Sequence, residues 1–178
     1  MTLRIGGCIL ECLTSWMADR GPHSIDLFAS SRNSHYVRFF SRFWCPGTLG
    51  VDAFSHDWSL ENNWINPPFS LIGRVWLRLQ SSLASASMIV PFWPSAPWWN
   101  LVTVDGVHLA ASVVDWLWLP RWDTLFTPGH PQAQTSSGVS SPRWQVLAIR
   151  VVFGPRGAPS SMANTCTRGG CSSCQGQH

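Results

Sequence analysis

Asn66, Pro67, Pro68 and Phe69 follow one another between an apolar run ending at Ile65 and a stretch of helical spacing that begins at Ser70. Their types suit one kind of chemistry. The exocyclic amino nitrogen of adenine is a poor nucleophile because its lone pair is delocalised into the ring. Two acceptors that take both amino hydrogens push that nitrogen towards tetrahedral geometry, and the Asn66 side-chain oxygen and the Pro67 carbonyl are such a pair. Consecutive prolines fix the backbone so that both acceptors point one way. Phe69 supplies a ring to stack on a base turned out of its helix. Asn66, Pro67 and Phe69 are therefore the candidate catalytic residues. The same tetrapeptide is also a good turn between a strand and a helix, so its weight depends on its neighbours.

Other groups allow other chemistry. Asp26 lies in the run Ser24-Ile25-Asp26-Leu27-Phe28-Ala29, which reads as a buried strand with a functional acid. Asp26, Asp52, Asp57 and Glu61 together could bridge two Mg²⁺ ions in a ribonuclease H-like nuclease, a reading that leaves Pro67, Pro68 and Phe69 without a role. Cys166, Cys171, Cys174 and His178 have the types of a zinc site, but their spacing matches no common pattern, and a metal-free tail is the expectation. Asp105 and His108 have no Ser or Cys nucleophile motif beside them. Neither Gly-x-Gly-x-x-Gly nor a Gly-Lys-Ser phosphate loop occurs, which removes the ordinary nucleotide-binding readings.

The elements that must position these residues are legible from periodicity. Strands are predicted near 24–29, 62–66, 87–92, 113–119 and 144–153, with shorter β-prone stretches at Tyr36–Phe43 and Val51–Phe54. Helices are predicted at Leu3–Asp19, at 70–83 with Ser70 as cap, and at 95–102 with Pro97 in the first turn. Cys45-Pro46-Gly47 reads as a turn. Alternation of strand and helix argues for a mostly parallel α/β sheet, which puts the Asn66 loop at its carboxyl edge. Six tryptophans (Trp44, Trp58, Trp64, Trp93, Trp98 and Trp99) gather around that edge. The organisation read from the chain is an N-terminal helix over 1–20, one α/β domain over 21–154, and a disordered Gly/Ser/Cys tail over 155–178.

Several motifs carry a family resemblance. Ser24–Ser30, Arg42-Phe43-Trp44 and Val51–Trp58 precede the Asn-Pro-Pro-Phe loop; Leu71–Val75 and Val90–Trp98 follow it. This series resembles the region between the ribonuclease H domain and the tyrosine recombinase in DIRS and Ngaro-type retrotransposon polyproteins. It is also similar to phage-type Dam adenine methyltransferases. The resemblance spans roughly residues 15 to 154. It implies a single Rossmann-like methyltransferase domain, S-adenosylmethionine as donor, Asp26, Phe28 and Asp57 at the donor site, and Asn66 and Phe69 facing a target adenine. DNA, single-stranded or with a flipped base, is the implied partner. The chain departs from the pattern in the loop after Asp26, which lacks the glycines that let a backbone approach the cofactor. A degenerate module that only binds nucleic acid through Trp and Arg is the alternative.

Composition sets the outer bounds. A chain of 178 residues suits one domain with a sizeable core. Its charged share of 12% is about half the usual one, all twelve basic residues are arginine, and the net charge of +3 points only weakly to polyanions. Twelve tryptophans are far above expectation. No secretory signal and no apolar run of membrane-spanning length is visible, so the cysteines read as reduced thiols in an intracellular, nuclear or cytoplasmic protein.

Overall fold

Residues 25–29, IDLFA, contain β-branched and large apolar side chains on both faces, and such a run is stable only as a strand covered on both sides. In the computed structural model, which describes residues 7–18, 22–119 and 144–154, this run is β1 (Ile25–Ala29). The other strands among the described residues are β2 (Phe39–Ser41), β3 (Gly50–Val51), β4 (Asn62–Ile65), β5 (Ser85–Pro91), β6 (Val113–Leu119) and β7 (Val146–Val152). They form one sheet of order β3-β2-β1-β4-β5-β7-β6. Neighbours from β3 through to β5 are parallel. β7 runs antiparallel to both β5 and β6. The mixed α/β, mostly parallel sheet expected from the sequence is therefore present, with few helices.

Among the described residues three helices pack on it: α1 (Gly7–Met17), α2 (Ile72–Ser81) and α3 (Trp99–Val102). α2 buries Ile72, Val75, Trp76 and Leu79, the i, i+3, i+4, i+7 stripe of an amphipathic helix. With Trp99 and Val102 of α3 it covers one face, against Ile65, Met88, Val90, Leu147 and Ile149. The other face holds Trp64, Ile89, Leu117 and Ala148, on which α1 lays Leu13, Trp16 and Met17. Trp16 Nε1 donates to Asp115 Oδ2 at 3.0 Å and pins α1 to β6.

The ends of elements differ from expectation for local reasons. Ser70 does not cap α2. A 3-10 turn, Phe69–Leu71, intervenes, and Leu71 N donates to the Pro68 carbonyl at 2.8 Å. α2 ends at Ser81, and just past its cap Ser82 the chain turns at Leu83, which takes a left-handed φ of 50° where glycine is usual. The stretch at 51–54 is strand only as far as Val51, because Asp52, at φ 55°, turns the chain and caps a 3-10 turn over Ala53–Ser55 by accepting from Phe54 N. α3 begins at Trp99, four residues later than expected, since 93–98 form turns closed by Ala96 N to Trp93 O and Trp99 N to Ala96 O. The Cys45-Pro46-Gly47 turn is present, with Thr48 N donating to Cys45 O and Gly47 at φ 84°, the position where a proline-led turn needs a glycine.

Candidate functional site

The chain runs outward from β1 to β2 and β3 and then returns to β4 on the opposite side of β1. At such a reversal the connections leave in opposite directions, and a crevice opens outside the carboxyl ends of the two central strands. The segments that emerge there are Ser30–Ser34 after β1 and Asn66-Pro67-Pro68-Phe69 after β4. Asn66 and Pro67 are buried and Phe69 is half-buried. Of the residues expected from sequence, these sit at the edge where ligands bind.

Asp26 pairs with Trp64 across β1 and β4. By the two-residue period of strands, Asp26, Trp64 and Asn66 belong to one face. The Asp26 carboxylate is buried and accepts from Phe28 N and His35 N, both at 3.2 Å. It thereby closes the crossover from β1 to β2, which passes without a helix. Burial pushes this carboxyl up to about 6, against the two amide bonds that pull it down. Beside it, His23 Nδ1 lies 3.0 Å from the Tyr36 hydroxyl. Burial, with Arg150 nearby, lowers His23 to about 4. His23 Nε2 and Trp64 Nε1 are buried without a hydrogen-bond partner. The turn after β1 is self-contained: Asn33 Oδ1 accepts from Ser30 N at 2.7 Å and Ser30 Oγ at 2.6 Å.

The remaining expected residues lie elsewhere. Between Asp26 and Ala29 the register with β2 shifts, and the Phe28 ring packs edge-on against Phe54 and Trp58 at 5.6 and 6.3 Å. Arg74 covers the Phe54 ring at 3.8 Å. Asp57 is exposed; its carboxylate accepts from Ser59 N and Oγ, which hold it below the usual range. The neighbouring His56 carbonyl accepts from Arg78 in the last turn of α2. That turn is at the opposite, amino edge, so Asp57 is not brought to Asn66. Glu61 is also at that edge, paired with Arg38 at 2.7 Å and with Ser24. The four carboxylates of the nuclease reading do not assemble, and no group of three or more His, Cys, Asp or Glu among the described residues is placed to hold a metal. Cys166, Cys171, Cys174 and His178 lie outside the described residues.

Aromatic rings build the rest of the edge. Phe69 meets Trp93 at 5.0 Å, Trp93 meets Trp144 at 5.3 Å, and Phe69 meets Trp144 at 6.5 Å, all edge-to-face. No family model matches the chain, and no curated protein or solved structure matches it either. The site is thus read from its own geometry. Of the six tryptophans that the sequence gathers around this edge, Trp58, Trp64, Trp98 and Trp99 are core, Trp93 is half-buried and Trp44 is exposed. Sequence reasoning passed over Trp144. The antiparallel pairing of β5 and β7 brings it in, continued by Phe92 N donating to Gln145 O at 2.8 Å. It also assigned Asp52 only to the metal cluster. Asp52 is exposed directly after β3, and Arg42-Phe43-Trp44 are exposed directly after β2, on the same carboxyl edge. No helix among the described residues is long and apolar enough to cross a membrane.

Proposed function

We propose that the chain is a Rossmann-like methyltransferase domain of retrotransposon type that acts on the amino group of adenine in nucleic acid, with S-adenosylmethionine as donor. One observation carries the reading: the Asn66-Pro67-Pro68-Phe69 loop stands at the carboxyl end of β4, beside the end of β1, where the strand order reverses. Setting β7 aside, the order is the 3-2-1-4-5-6 of doubly wound nucleotide-binding sheets. An antiparallel strand slotted before the last one is the departure that Rossmann-like methyltransferases make, and it supports the finer fold reading.

The residues present fit the donor in part. Trp44 and Phe43 offer exposed rings, and Asp52 an exposed carboxylate, for an adenosine moiety at the ends of β2 and β3. The turn after β1 offers less, because Asn33 already takes the Ser30 amide. When bound, the donor supplies an electrophilic methyl carbon. Asn66 and the Pro67 carbonyl accept the two amino hydrogens, Pro67 and Pro68 hold those acceptors in place, and Phe69 stacks on the base. Asp26 acts through the loop, by tying the backbone of residues 28 and 35.

The test is donor binding by calorimetry, with tritium transfer to adenine-containing DNA, on one set of purified variants. Asn66→Ala abolishes transfer and leaves donor binding near wild type; Asp26→Ala weakens donor binding. If wild type neither binds the donor nor transfers methyl groups, the binding-only module takes the place of the enzyme. The self-closed Ser30–Asn33 turn is what favours that second reading.

A further inference from the structure

We infer that Arg42, Phe43 and Trp44, in the loop after β2, form a contact for an unpaired nucleic-acid strand whose target base sits at the Asn66 loop. The inference deepens the methyl-transfer reading and rests on it for the place of the target base. Trp44 keeps 77% of its surface and Phe43 71%, more than any other Phe, Tyr or Trp among the described residues. No ring packs on Trp44 among those residues, and the Arg42 guanidinium lies over the Phe43 ring at 5.1 Å. Two large rings displayed side by side mark a surface that a partner covers. The loop that displays them is tied to itself and to its neighbour. Ser41 Oγ donates to the Phe43 carbonyl at 2.6 Å, Thr48 Oγ1 to the Gly50 carbonyl at 2.7 Å and Thr48 N to Cys45 O at 3.2 Å. Cys45 in turn hydrogen-bonds Ser31, which joins this loop to the turn after β1.

The charges agree with a polyanion. Arg42 is exposed and has no ion pair among the described residues. No acid occurs from Leu27 to Val51, and Asp26 just before that stretch is buried. A cation beside two rings matches the parts of an unpaired nucleotide, a phosphate to pair and a base face to stack. A base inside a duplex shows only its edges to a protein. A donor adenosine covers one ring and carries no phosphate, so it leaves Arg42 and the second ring unused. Position completes the case. β2 and β4 flank β1, so the loops after them emerge two strand spacings apart, about 10 Å. A strand crosses that gap in about three nucleotides at the ~3.4 Å spacing of stacked bases.

The experiment is fluorescence anisotropy of a labelled adenine-containing oligodeoxynucleotide, single-stranded and as its duplex, with the full chain and no donor added. Wild type binds the single strand more tightly than the duplex. Trp44→Ala weakens single-strand binding by roughly fivefold to a hundredfold, the effect of one lost base–aromatic stack, and Trp44→Phe stays within a few-fold of wild type. Arg42→Gln lowers the slope of log affinity against log salt by roughly 0.7, the loss of one phosphate contact. All three side chains are exposed, so the melting temperatures stay at the wild-type value. Equal binding by Trp44→Ala and wild type, or a preference for duplex, overturns the inference. So does a Trp44→Ala variant that loses donor binding and keeps the strand, since the ring then serves the adenosine. Self-association of wild type that Trp44→Ala abolishes, with strand binding unchanged, overturns it in favour of a second copy of the chain. Failure of the methyl-transfer reading shows instead as absent donor binding by wild type and leaves the strand comparison intact.

Discussion

The two halves of the sheet are built differently. On the β1–β2–β3 side the strands have five, three and two residues, and the described crossovers contain no α-helix. Side chains hold this side by bonding to nearby backbone: Asp26 to residues 28 and 35, Asn33 to Ser30, Thr48 to Gly50 O, Asp52 to Phe54. On the β5–β7–β6 side each strand has seven residues, and α2 and α3 cover one face while α1 covers the other. Apolar burial scales with area, so the second side, with its long strands covered on both faces, is the packed scaffold. Short polar loops can shape a ligand cradle with little core beneath them. The Asn66 loop stands at the seam, anchored to β4 on the packed side and open to the polar side.

The largest effect sharpens this contrast. Ile149 is fully buried at the centre of β7, so Ile149→Ala should cost about 2–5 kcal/mol through lost burial and the cavity left behind. Urea or thermal unfolding measures it; a cost under 1 kcal/mol would mean that β7 is not the centre of the core.

The next prediction concerns pH and the polar side. Asp26 is raised to about 6 when folded, from 3.8, so its contribution is full below pH 3.8 and is lost as pH rises through 6. His23 is lowered from 6.5 to about 4, so its contribution is full above pH 6.5 and is lost as pH falls through 4. Between about pH 4 and 6 the two slopes oppose each other, and the melting temperature of wild type should change little. Asp26→Asn leaves the His23 slope, so its melting temperature should drop, relative to wild type, as pH falls from 6 to 4. His23→Gln should show the opposite trend. Parallel curves for all three proteins would show that neither group is buried as described.

The smallest effect lies at the amino edge. Arg38 pairs with Glu61 at 2.7 Å with its side chain about half exposed, so Arg38→Ala should lower the melting temperature least of these variants, and less still at high salt. A larger, salt-independent loss would mean that the polar half depends on this pair, which spans β1 from the start of β2 to the start of β4.

The sequence by itself determined the strands that are long or buried on both faces. The runs 25–29, 62–65, 85–91, 113–119 and 146–152 were legible because an apolar period of two, or an unbroken apolar run, is set by neighbours in the chain. The stripe of α2 and the position of Asn66-Pro67-Pro68-Phe69 between β4 and α2 were legible for the same reason. Only the tertiary structure decided what depends on contacts far apart in sequence. The insertion of β7 between β5 and β6 pairs Met88 with Ile149 and Trp116 with Ile149, and nothing local encodes such a partner. That pairing carries Trp144 to Phe69. The tertiary structure also leaves Trp64 and Trp99 in the core while Trp44 stands in solvent, three tryptophans that look alike in one dimension. Asp26 reads as a strand-end functional acid, yet in three dimensions its oxygens are taken by amides two and nine residues on. A buried carboxylate must find donors, and which donors reach it is settled by how the chain crosses the sheet rather than by the residues beside it.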